Sequence, residues 1–358
     1  MSPRIPRRAV LAAAAAASLL APPARAAEPI DAATITPQGN LVTGQRRPGP
    51  WRIGFSDGYG ATPWRRMCLA ELQRAAAAQP RDIAQLIVRD ADGDPRQQMR
   101  DITALVRAKV DAILCIPSAA DPVAAALADA TARGIVTVPF TLPVSGTAWT
   151  CSVGTDKTAK GAALATWLAG ALGGRGKVVG LGGLPGNPYS GALWAGAQSA
   201  WKGTAIEVLR VDPAWWDRER ARAVMAGLLG AFPTIDGVWC DGGQDAAGAE
   251  DALLAARRRL LPVTGDDYNG LLKLYAATTA NGAPGFAFGL LSEPTWQSVV
   301  ALRTAMTLLG GGRVAKQQFV MPAMITPANY RQYIRPRLPD GVLVDTALDD
   351  ATLKRMFA

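Results

Sequence analysis

The sequence predicts an α/β protein of two Rossmann-like lobes with parallel sheets. Three observations lead there. Short apolar strands alternate with helices almost without interruption from Trp51 to Leu309, and parallel strands need crossover helices of this kind. Two blocks of comparable length, about 50–146 and about 150–290, repeat the pattern. The chain has 358 residues, 49% of them apolar, enough for two cores at roughly 100–200 residues per domain.

In the first block, residues 52–56 read as a short strand. Helix 63–78 follows, with Trp64, Cys68, Leu72 and Ala75 on one face. Strand 83–88 leads to helix 95–109, for which Asp94 and Pro95 supply the N-cap and first-turn signals. Strand 111–117 is continuously apolar. Asp121-Pro122 opens the next helix in the same way, Gly134 ends it, and strand 135–140 completes the block. The second block reads as strand 151–153, helix 156–172, strand 177–181, helix 190–201, strand 206–211 and helix 217–229. It continues with strand 237–240, helix 244–259, strand 262–265, helix 271–280, strand 286–290 and helix 295–309. Residues 27–50, rich in Pro, Gly, Thr and Gln, read as a leader rather than a domain, and residues 331–358 as a C-terminal tail.

Residues 1–26 read as a signal peptide. Arg4, Arg7 and Arg8 make a positive start, Ala9 to Ala21 an apolar run, and Ala24-Arg25-Ala26 a small-residue exit. The Arg7-Arg8 pair resembles a twin-arginine signal, and a general secretory signal fits nearly as well. Either route predicts the periplasm. Cys68, Cys115, Cys151 and Cys240 contain no CxxC; three of them lie in apolar runs and read as buried thiols, with one bridge left open.

The chain has no histidine, which removes Ser-His-Asp and Cys-His catalysis and HExxH zinc sites together. Its formal charge is +9, from 38 basic and 29 acidic residues. Four arginines precede residue 27 and no acid does, so the remainder carries 34 basic against 29 acidic residues, a net of +5. Those cations are scattered, whereas a nucleic-acid surface wants a clustered stripe. Gly180 to Gly186 fails GxGxxG because Pro185 holds the last glycine's place, and Gly176-Lys177 fails the P-loop pattern. The reading is therefore a binding protein with no catalytic residues, metal or cofactor.

Ligands of open α/β sheets sit beyond the carboxyl ends of the strands. Those positions here include Ser56, Asp57, Tyr189, Trp216, Asp241, Asp267 and Glu293. Tryptophans cover the C–H faces of a sugar, and carboxylates and guanidinium groups meet its hydroxyl edges. The bland alternative for Trp64 and Trp216 is ordinary core packing.

The order of features resembles the ribose-binding-like (type I) periplasmic binding proteins of sugar ABC transporters, over roughly residues 51–325. The segments that carry the resemblance include Ile53-Gly-Phe-Ser56, Asp94-Pro95-Arg-Gln-Gln, Val110-Asp-Ala-Ile-Leu-Cys-Ile-Pro117, Val153-Gly-Thr-Asp156, Ala214-Trp-Trp-Asp-Arg218 and Ile235-Asp-Gly-Val-Trp239. It implies two lobes joined by a three-crossover hinge: 51–147 plus about 293–312, and about 148–292 plus 313–330. It also implies a monomer that delivers a sugar to a membrane permease.

Carried over residue by residue, the stacking aromatics match Trp64 and Trp216, the late carboxylate matches Asp267, and the polar residue at the second helix start falls near Asp94. Arg65 replaces a second aromatic. Charged family positions fall on Thr141-Leu142, Gly191 and Gly242, which puts ribose in doubt. Tyr189, Arg65, Asp57, Asp241 and Glu293 are the expected replacement polarity, for a sugar, a polyol or a ligand with a cationic group. Other functions on this fold are a ligand-sensing subunit for a chemoreceptor or kinase and a LacI-like regulator; the latter needs a helix-turn-helix where this chain has an export signal.

Overall fold

The computed structural model describes Ile30, residues 33–280, Gly282 and residues 285–357. The expected export segment lies outside these residues.

Strand β1 (Thr34–Thr43) precedes the first lobe. There, β2 (Trp51–Asp57), β3 (Ile83–Asp90), β4 (Ala112–Ile116) and β5 (Val136–Pro139) alternate with α1 (Pro63–Ala77), α2 (Pro95–Arg107) and α3 (Ala120–Ala132). The second lobe starts at β6 (Ser152–Gly154) and α4 (Lys157–Ala171). It continues through β7 (Arg175–Gly182), α5 (Pro188–Trp201), β8 (Ala205–Pro213), α6 (Arg218–Ala231), β9 (Gly237–Cys240), α7 (Gly243–Ala255), β10 (Val263–Gly265), α8 (Asn269–Thr279) and β11 (Phe288–Leu290). Helix α9 (Gln297–Leu309) returns to the first lobe, β12 (Arg313–Met321) leaves it again, and α10 (Asp350–Met356) lies near the C-terminus.

Each lobe holds a parallel sheet, in the order β3-β2-β4-β5 and β11-β10-β9-β7-β8. Helices cover both faces, which is why the inner strands are apolar throughout. Phe55, Leu114 and Val138 face α1 and α9 on one side of the first sheet, while Ile113 and Cys115 meet α2 and α3 on the other. The second sheet is divided likewise between a Val238–Val263–Phe288 core and a Leu164–Leu193–Trp239 core. All four cysteines are buried and unpaired. Burial pushes the Cys68 and Cys115 thiols well above their usual range, so they stay protonated.

A third sheet, β1-β12-β6, lies where the chain passes between lobes. Its β1 falls within the expected leader. Composition hid it because a strand normally betrays itself by a buried face, and here every residue of β1 is exposed except Val42. It is held by antiparallel pairing to β12 instead. Asp94 caps α2 as expected, accepting from the Arg96 amide at 2.8 Å. Asp121 and Pro122 differ: α3 begins at Ala120, two residues before Pro122, so both lie in its first turn, and Asp121 accepts from the Ser145 hydroxyl. No helix among the described residues is long and apolar enough to cross a membrane.

Candidate functional site

The loops after the parallel strands of both lobes reach the crossover residue Glu293, through Trp64 from the first lobe and Lys157 from the second. In the first lobe, the loop after β2 turns back so that Arg65, in the first turn of α1, forms an ion pair with Asp57. Asp57 also accepts from the Tyr59 amide. Burial raises its pKa, and Arg65 opposes that rise. Trp64 is half-buried and donates its indole N–H to the Glu293 carbonyl at 2.7 Å, which fixes the ring against a crossover. Ser56 is fully buried; its hydroxyl accepts from Gln98, which also bonds the Ile116 carbonyl. Ser56 thus braces the strand ends. Asp94 is engaged as a helix cap and lies 3.6 Å from Arg100.

The second lobe supplies a denser polar array. Lys160, one turn into α4, is fully buried, a costly position for a cation unless it is paired. Its ammonium donates to the Tyr189 hydroxyl at 2.7 Å and to Asp266 Oδ1 at 2.8 Å, and stands 3.9 Å from Glu293. Burial disfavours that charge, but Asp266 and Glu293 outweigh it and raise the lysine pKa. Lys157, three residues earlier on the same helix face, pairs with Glu293 at 2.6 Å. Glu293 also accepts from Thr155 at 2.8 Å and Gln297 at 2.8 Å. Burial would raise its pKa; Lys157 and Lys160 prevail and lower it. Glu293 is thus a junction, touching Trp64 of one lobe through its carbonyl and two lysines of the other through its carboxylate.

Two groups retain hydrogen-bonding capacity beyond the fully buried Lys160. Asp266 has Oδ2 and a partly exposed side chain. Tyr189 accepts from Lys160, and burial pushes its pKa up, so the phenol keeps a proton to donate.

Trp216 stands over Asp241, donating its indole N–H to Oδ1 at 2.9 Å, while the Gly183 amide donates to Oδ2 at 3.2 Å. Its ring meets Tyr189 edge-on at 6.0 Å. Two glycines seat the ring. A Cβ at Gly183 would lie 2.2 Å from it, and one at Gly242 would lie 2.4 Å away. Trp215 and Trp216 both have left-handed backbones, φ 67° and 54°, a conformation costing about 1–2 kcal/mol per non-glycine residue. Trp215 is 45% exposed.

Asp266 and Asp267 lie in the loop just after β10, and their side chains part there. Asp266 meets Lys160. Asp267, the carboxylate expected from the sequence, is buried and accepts from the Asp345 amide at 2.7 Å. Thr155, Lys157, Lys160 and Asp266 were not among the site residues expected from the sequence. A lysine pair at i, i+3 on an otherwise Ala- and Gly-rich helix, directly after a strand, was the available signal.

Asp245, in the first turn of α7, is fully buried and neither carboxyl oxygen has a partner. Burial, with Asp241 and Asp266 nearby, pushes its pKa up to about 9. The folded protein therefore holds a proton that the unfolded chain releases near pH 4, and stability falls as pH rises from about 4 to about 9. Asp245→Asn is expected to raise the melting temperature, with a gain that is small at pH 5 and grows toward pH 9; thermal melts across that range check it.

Comparison with known proteins agrees with this architecture. Residues 53–313 match the periplasmic binding protein domain. The chain belongs to the periplasmic binding protein family and has its type I fold. It is 32% identical over 187 residues to a xylitol-binding protein of Mycolicibacterium smegmatis, covering 51% of this chain and 53% of that one. It is 28% identical over 184 residues to a ribose import binding protein of Bacillus subtilis, covering 51% and 60%. The aligned regions thus span little more than half the length of these curated relatives. Among solved structures, the Caulobacter myo-inositol binding protein with bound myo-inositol superimposes with a TM-score of 0.61 at 22% identity, over 80% of this chain and 97% of that one.

Proposed function

We propose that this protein binds a neutral sugar or polyol between its two lobes. The observation that carries the reading is the charge balance of the cleft. Arg65 pairs with Asp57, Lys157 with Glu293, and Lys160 with Asp266. Each cation is already compensated, so an anionic ligand gains no unpaired counter-ion among them, and the fourth carboxylate, Asp241, already accepts from Trp216 and the Gly183 amide. A hydroxyl both donates and accepts. Asp266 Oδ2 and the Tyr189 proton, both positioned by the buried Lys160 ammonium, offer matching partners, and Trp216 offers an apolar face for C–H groups. The ligands named for the relatives, xylitol and ribose, are of this kind.

The site in this reading consists of Asp57, Trp64, Arg65, Lys157, Lys160, Tyr189, Trp216, Asp241, Asp266 and Glu293. Ser56, Asp94 and Asp267 support it from behind. The family and the arginine-led N-terminus favour export to the periplasm and delivery of the ligand to an ABC permease. Native mass spectrometry of gently purified protein tests the ligand class. A retained neutral polyhydroxylated solute is expected; a retained organic acid or amine overturns neutrality.

A further inference from the structure

We propose that the C-terminal segment 335–357 is a fourth connection between the lobes, which holds the unliganded protein at one opening. It lies beyond the residues matched to the family, and the inference does not depend on which ligand is bound.

The first part of the segment is fastened to the second lobe. Asn269 donates to the carbonyls of Arg335 at 2.9 Å and Pro339 at 3.0 Å, and accepts from the Arg335 amide. Asp340 bridges Arg218 at 2.8 Å and Lys273 at 2.5 Å. The Val344 amide bonds the Asp267 carbonyl at 3.1 Å, and the Asp345 amide bonds the Asp267 carboxylate.

The second part is fastened to the first lobe. Thr346 and the Ala347 amide both donate to Glu71 of α1, a fully buried carboxylate. Leu348 and Leu353 pack with Met67 of the same helix, together with Leu338 and Val342.

The passage from one lobe to the other takes three residues, 345–347, and Asp345, together with the anchor Glu71, also grips the crossover between β11 and α9. Ser292 donates to Asp345, and Thr295 donates to Glu71 at 3.1 Å. Rotation at the hinge changes the separation of Asp267 and Glu71, the two anchors. A segment this short and this fully bonded resists that change. The buried carboxylates make the resistance steep, because a Glu71 or Asp345 pulled from its donors stays desolvated.

At the cleft, the link between the lobes runs through one crossover residue, Glu293, which joins Trp64 to Lys157 and Lys160. The strap is a second link, away from that residue, able to set the unliganded opening. Restricting the open ensemble lowers the ordering cost of binding.

The test is the distance distribution between spin labels at Arg96→Cys and Glu219→Cys, exposed positions in the first turns of α2 and α6, in the unliganded protein. The strap is removed by ending the chain after Asp345. In case that exposes Met67 and unfolds the protein, Ser292→Ala/Thr346→Val removes the two hydroxyl ties and leaves the apolar cluster in place. The proposal expects a distribution at least about twofold broader than wild type in whichever variant melts cooperatively. A merely stabilising tail lowers the melting temperature and leaves the distribution unchanged, and that result overturns the proposal.

Discussion

Lys160→Met is expected to destabilise the unliganded protein by about 3–5 kcal/mol, the usual cost of stranding one member of a buried ion pair, and to abolish binding. The lysine is fully buried, and its ammonium is bonded to Asp266 and Tyr189. Removing it leaves Asp266 with a desolvated charge or forces it to take up a proton. The second substitution gives the argument its force. Lys160→Met/Asp266→Leu removes both charges, and apolar replacement of a buried pair is often neutral or stabilising. The double variant is therefore expected to regain most of the lost stability but none of the binding, because the Asp266 carboxylate is gone and Tyr189 has lost the ammonium that positions it. Denaturant unfolding and calorimetric titration with the solute retained on purification measure the two effects separately. Wild-type affinity in the folded double variant would make the pair purely structural.

Trp216→Ala is expected to weaken binding tenfold or more in a protein that remains folded. A ring face covering on the order of 100 Å² of C–H surface contributes about 2–3 kcal/mol at roughly 25 cal/mol per Å², or close to two decades in affinity. The ring's seat supplies a subtler form of the experiment. Gly183→Ala places a methyl where the structure has Trp216 Cε2 at 2.2 Å, so the ring must move although no aromatic is lost. The expected result is a similar loss of affinity. If Trp216→Ala keeps wild-type affinity, the ring belongs to the packing of the β8–α6 loop. Trp64 is a weaker test, because its indole N–H is tied to the Glu293 carbonyl and its ring also packs against the first-lobe core.

The alternation of strands and helices made both lobes legible, because parallel sheets covered on two faces leave long apolar runs in the sequence. The elements it missed lack that mark. Strand β1 is exposed nearly throughout, and β12 joins it in a sheet beside the crossovers that gives the first-lobe core only a few residues, such as Val320. Helix α10 spans seven residues and is held by Leu353 against the first lobe. At the site, single-residue positions after strands were legible for Asp57, Tyr189, Trp216, Asp241 and Glu293, all of which have side chains in the bonded or stacked array. The choice between Asp266 and Asp267 was not, since both lie in the loop after β10, whose course decides which carboxylate meets Lys160 and which meets the Asp345 amide. The lysines were hidden for another reason: their role rests on Asp266 and Glu293, more than a hundred residues away in sequence.

The central claim is that ligand is held by both lobes at once. A closed state then has more contacts with ligand than an open one, and ligand must shift the population toward it. Small-angle X-ray scattering, with and without the retained solute at calorimetrically confirmed saturation, tests this most directly. The account predicts a smaller radius of gyration in the saturated sample. An unchanged radius at full occupancy would contradict it and leave the ligand bound to one lobe alone.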